Sequence, residues 1–94
     1  MNHKNALFSL GRVCCTPGAL EELSRLSVHP IQLLARHLTG DFGDLCEEDK
    51  AANLAALVEG TRLLSSYVLA PEVKVWVITE ADRSVTTVLL PSEY

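Results

Sequence analysis

Residues 61–90 read TRLLSSYVLAPEVKVWVITEADRSVTTVLL. The stretch is rich in Val, Ile, Thr, Tyr and Trp, the β-branched and aromatic residues that suit a pleated, half-buried surface. Two breaks divide it, Ala70-Pro71-Glu72 and the polar cluster Glu80–Arg83, leaving runs at Thr61–Leu69, Val73–Thr79 and Ser84–Leu90. Strands joined by such short connections pair with their sequence neighbours, which predicts an antiparallel meander. Alternation in the middle run puts Val73, Val75 and Val77 on one face and Lys74, Trp76 and Ile78 on the other. Both faces are partly apolar. One is expected to receive helices, and the one with Trp76 is either a contact surface or covered.

Upstream of the meander the period changes. ALFSLGRVCC, residues 6–15, predicts a strand bent near Gly11 that pairs with the meander. Thr16-Pro17 starts a short helix, with Thr16 as cap and Leu20, Leu23 and Leu26 along one face. Pro30 starts a second, capped by His29, with Ile31, Leu34 and Leu38 as its buried stripe and Gly40 as its stop. Asp44 and Glu47 have capping-box spacing for a third helix. It runs to about Glu59, with Ala51, Leu54, Leu57 and Val58 inward and Gly60 as its stop. The expected order is β-α-α-α-β-β-β. With helices segregated from the meander, the class is α+β, one N-terminal strand followed by three short helices and a three-stranded antiparallel meander, in a single domain over residues 1–94.

The chain has 94 residues, 48% of them hydrophobic and 21% charged, enough apolar material for a core and too little charge for a disordered chain. A formal net charge of −4 disfavours generic binding to a phosphate backbone. No run approaches a membrane-spanning length, and no signal pattern opens the chain, so a cytoplasmic protein is expected. Cys14, Cys15 and Cys46 make an odd set with no C-x-x-C spacing, read as reduced, buried thiols. His3, His29 and His37 give no zinc spacing with them, no cofactor is expected, and His37 is read as sitting on the flank of its helix.

Two segments are candidate partner-binding surfaces. Residues 40–59 hold Asp41, Asp44, Glu47, Glu48, Asp49 and Glu59 against Lys50 alone, with Phe42 between two glycines. The acidic positions do not fit a calcium-loop register. Either they form a solvated helix start or they dock on a basic partner. The second segment runs from Trp76 to the turn with Glu80, Asp82 and Arg83. Two carboxylates at i and i+2 suit acid–base work, but no nucleophile, phosphate loop or His accompanies them. The turn reads more simply as Asp82 accepting backbone hydrogen bonds and pairing with Arg83 or Arg62.

Several stretches together carry a resemblance over nearly the full length: LGRVxxTPGALE from Leu10, GDFGDL from Gly40, EEDK from Glu47, EGxRLLSxY from Glu59 and WxITEADRSVTTxLLPxEY from Trp76. The chain resembles a family of small proteins carried by bacterial plasmids and integrative elements, commonly labelled plasmid-related protein or type I restriction endonuclease subunit M. A modification subunit needs a glycine-rich methyl-donor fold and an Asn-Pro-Pro-Tyr type motif, and this chain has neither. It departs from the family at Cys14-Cys15 and at Phe42, where smaller residues and Trp are expected. Small size, acidity and the absence of a catalytic set, taken with this resemblance to mobile-element proteins, lead to the expectation of a non-catalytic protein-binding accessory of a mobile element, an inhibitor of a host defence nuclease such as a restriction or CRISPR enzyme. A small dimeric regulator of plasmid maintenance is the alternative, followed by an uncharacterised enzyme.

Overall fold

A computed structural model describes residues 5–94; His3 lies outside them. The elements are β1 (Arg12–Cys15), α1 (Pro17–Arg25), α2 (Pro30–Leu38), α3 (Glu47–Glu59), β2 (Leu63–Ala70), β3 (Val73–Thr79), β4 (Val85–Leu89) and a closing 3-10 turn (Pro91–Glu93). The fold is α+β in the expected order. β2, β3 and β4 form the antiparallel meander, and β1 joins it beside β4 in parallel, giving the order β1-β4-β3-β2.

Paired residues share a sheet face. The register sets Ser65 beside Val77 and Val77 beside Val88, and sets Tyr67 beside Val75. Onto this face pack Ala19 and Leu23 of α1 and Leu33 and Leu34 of α2. A second cluster, Phe42, Ala56 and Leu63, seats α3. The opposite face carries Ser66, Trp76 and Leu89 across three strands. Ser66, Ile78 and Leu89 are buried on this face, and Tyr94, just after the closing 3-10 turn, stacks edge-on against Trp76 with ring centroids 5.8 Å apart.

The helix starts follow local chemistry. Thr16 Oγ1 accepts from the Ala19 N–H, and His29 Nδ1 accepts from the Ile31 N–H while the Gln32 side chain accepts from the His29 N–H. Gly60, with φ 73°, ends α3.

Five expectations are corrected. The first strand is four residues, because the preceding stretch docks on α2: the Leu7 N–H donates to the Leu38 carbonyl and Phe8 packs edge-on against His37. Asp44 does not cap α3. Cys46 stands at the cap without a side-chain bond, and Asp44 Oδ2 accepts instead from the Val68 N–H of β2. The helices are also rolled differently from expectation. α1 buries Ala19 and Leu23 and exposes Leu20, α2 buries Leu33, Leu34 and His37 and exposes Ile31, and α3 buries Asn53 and Ala56 and exposes Ala51, Leu54 and Val58. In α3 the roll follows from Asn53, whose side-chain amide donates to the Leu64 carbonyl at 2.6 Å and accepts from its N–H at 3.1 Å. Cys14 and Cys46 are exposed and Cys15 half-buried, all three free; Cys14 lies opposite Thr87 on the face that carries Trp76. Burial and the neighbouring Cys14 push the Cys15 thiol up. Finally, His37 is not on a flank but fully buried.

Residues 42–44 cover the outer edge of β2. The Asp44 N–H donates to the Ser66 carbonyl and the Ser66 N–H donates to the Phe42 carbonyl, a parallel bridge centred on Gly43. A covered edge resists pairing with foreign strands.

Candidate interaction surface

The ten candidate residues divide by what they touch. Asp41 is engaged by Arg36, Nε to Oδ2 at 2.7 Å, and by the Gly43 N–H. Phe42 is buried, 5% exposed, edge-on to His37; it is core and not a contact aromatic, because the Gly43–Ser66 bridge turns it inward. Asp44 ties the loop to β2. Glu47, Glu48 and Asp49 are exposed in the first turn of α3, where carboxylates suit the helix dipole. Lys50 approaches Glu47 only to 3.9 Å.

The second segment is a built turn. Asp82 Oδ1 accepts from both the hydroxyl and the N–H of Ser84, which hold its carboxyl below the usual range. The expected Asp82–Arg pairing is replaced by Arg62 with Glu80 at 3.0 Å. Arg83, at φ 61°, reaches over to the end of α3. Its Nη1 donates to the carbonyls of Thr61, Glu80 and Ala81, and its Nη2 to that of Ala56. The turn therefore braces α3, while Trp76 belongs to the opposite sheet face. A Lys at position 83 cannot span these acceptors. Arg83→Lys is expected to cost about 1–2 kcal/mol, read from urea unfolding midpoints at unchanged slope.

One surface was missed by sequence reasoning. The outer face of α3 carries Ala51, Leu54, Ala55 and Val58, at i, i+3, i+4 and i+7, all exposed. The available signal was an excess of apolar positions: α3 has more than one face can bury.

A buried polar chain lies beneath. His37 Nδ1 is 2.5 Å from Ser65 Oγ, His37 Nε2 is 2.9 Å from Thr79 Oγ1, and Thr79 is 2.7 Å from Thr86 Oγ1. Thr86 donates to the Leu10 carbonyl. Each hydroxyl has one proton, so counting back from that carbonyl assigns the order. Thr79 donates to Thr86, Nε2–H donates to Thr79, and Ser65 donates to Nδ1. Ser65 beside an imidazole has the look of a nucleophile and its base. Both are 0% exposed, however, and the pair is closed to solvent.

Among the described residues no group of three His, Cys, Asp or Glu is placed to hold a metal, and no helix is long and apolar enough to cross a membrane. No family model matches the chain, and no curated protein or solved structure matches it.

Proposed function

We propose that the protein is a non-catalytic protein-binding accessory of a mobile genetic element, and that it inhibits a host defence nuclease by occupying one of its surfaces. The observation that carries the binding reading is the outer face of α3. Leu54 is 60% and Val58 88% exposed on a helix whose inner face is already seated. Large apolar side chains aligned on one exposed helix face support that reading. The nuclease as target rests on the resemblance to mobile-element proteins and on the acidic balance of the chain.

The test is an immobilised chain challenged with lysate of a host carrying restriction and CRISPR systems. A nuclease subunit is expected to be retained, and its cleavage activity to fall when the chain is added in stoichiometric amount. A lysate that yields no nuclease subunit sinks the reading. If light scattering then finds a stable dimer, the plasmid-maintenance regulator takes its place.

A further inference from the structure

The occupant of the α3 face can be argued from charge and shape. α3 holds Glu47, Glu48, Asp49 and Glu59 against Lys50, a net of −3. Glu48 and Glu59 lie along one side of the Leu54–Val58 stripe, Lys50 borders the other beside Leu54, and Glu47 extends the stripe at the N-terminal end. A second copy fits this face poorly. Parallel pairing sets the acidic first turns together, and antiparallel pairing sets Glu47 and Glu48 against Glu59, so like charges meet at every end. An anionic membrane surface is repelled for the same reason.

The shape suits a helix. Ala51 and Ala55 are small and lie beside the two large residues, which lets a second helix axis approach closely. At one margin a cleft of about 230 Å³ is lined by Gly40, Asp41, Phe42, Gly43, Lys50 and Leu54. That is below the roughly 300–1,000 Å³ of small-molecule sites, and it accommodates a single anchoring side chain. Leu54 belongs to both stripe and cleft.

We infer that the outer face of α3 docks a basic amphipathic helix of the partner protein, with Leu54 and Val58 as apolar anchors and Glu47, Glu48 and Glu59 as the charged rim. The inference rests on the protein-binding reading and names the chemistry of the partner. Recognition is of the helix-in-groove kind, with apolar anchors at helical spacing and Lys or Arg beside them.

The test places a benzophenone amino acid at position 58, and separately at Val68 on the opposite sheet face, in chains expressed in the host. Irradiation is expected to trap a partner through position 58, and the trapped segment to carry apolar residues at helical spacing flanked by Lys and Arg. That segment, made as a labelled peptide, is expected to bind the chain with an affinity that falls at least about tenfold for Leu54→Asp. Glu48→Lys with Glu59→Lys should weaken it as well, and so should added salt. Circular dichroism checks that the variants are folded, and Val58→Asp stands in for a variant that is not. Self-cross-linking, a trapped lipid, an acidic or non-helical segment, or silence at position 58 each overturns the inference. Trapping at 68 alone overturns it and leaves the protein-binding reading intact; silence at both positions removes both. Trapping a basic helix of a protein that is not a nuclease keeps the docking surface and removes the nuclease as target.

Discussion

Lowering the pH from 6.5 to 4 is expected to remove roughly 3 kcal/mol of folding stability through His37 alone, at about 1.4 kcal/mol per pKa unit. Burial holds the folded-state pKa near 4, against an ordinary value of 6.5. Between those values the unfolded chain binds a proton that the folded chain refuses. The contribution is therefore complete above 6.5 and is lost as the pH falls towards 4. The bonding partners of His37 are the hydroxyls of Ser65 and Thr79 and its ring neighbours are Phe8 and Phe42, so none of them neutralises an imidazolium. Protonation at Nδ1 also turns the Ser65 hydroxyl from donor to acceptor, so that link must rearrange while the Nε2–H, Thr79 and Thr86 links keep their order. Glu93, held low by the Thr16 hydroxyl, and Asp82, held low by Ser84, contribute in a different window. A depressed carboxyl loses its contribution only as the pH falls below its ordinary value, 4.5 for Glu93 and 3.8 for Asp82. Urea unfolding across pH 7 to 4 separates the two. His37→Gln is expected to be less stable at pH 7 and flat from 6.5 down to about 5, where the carboxyls begin to titrate. An unchanged slope in that variant would show that the imidazole is not the titrating group.

His37 also shows where sequence reading stopped. Its place on α2 was legible, but its burial depends on hydroxyls 28 and 42 residues away. The meander was legible because strand period, proline and turn residues are local signals. The roll of α3 was not, because two stripes compete there. Ala51, Leu54, Leu57 and Val58 form the more hydrophobic one, and hydrophobicity alone selects it. Asn53 overrides it because its amide satisfies both backbone groups of Leu64, and a buried strand start with unpaired groups is costly. The same long-range pairing accounts for Asp44, which spends its carboxylate on Val68 and not on the helix that follows. The acidic part of the candidate surface was therefore readable, whereas the apolar part was assigned to the core.

Gly43→Ala is expected to cost on the order of 4 kcal/mol, while Gly60→Ala costs about 1 kcal/mol. Both glycines have positive φ, 76° and 73°. A side chain at either pays for the left-handed backbone. At Gly60 nothing else lies within 4 Å of the new carbon. At Gly43 that carbon would lie 2.2 Å from the Ser66 carbonyl oxygen and 2.6 Å from the Tyr67 ring. Neither can yield, since the carbonyl accepts from the Asp44 N–H and Tyr67 is fully buried, its hydroxyl donating to the Asp41 carbonyl. The segment 42–44 must therefore leave the edge of β2. Phe42 then leaves the cluster it forms with Ala56 and Leu63, so the floor under α3 loosens. The bare β2 edge becomes a template for foreign strands. Thermal unfolding should show Gly43→Ala melting far below Gly60→Ala, with aggregation above that transition. Equal losses at the two positions would mean that backbone strain alone sets the cost and that the edge bridge contributes nothing. Amide exchange at Ser66 and Val68 reports on the bridge directly: protection there is expected to be lost in Gly43→Ala and kept in Gly60→Ala.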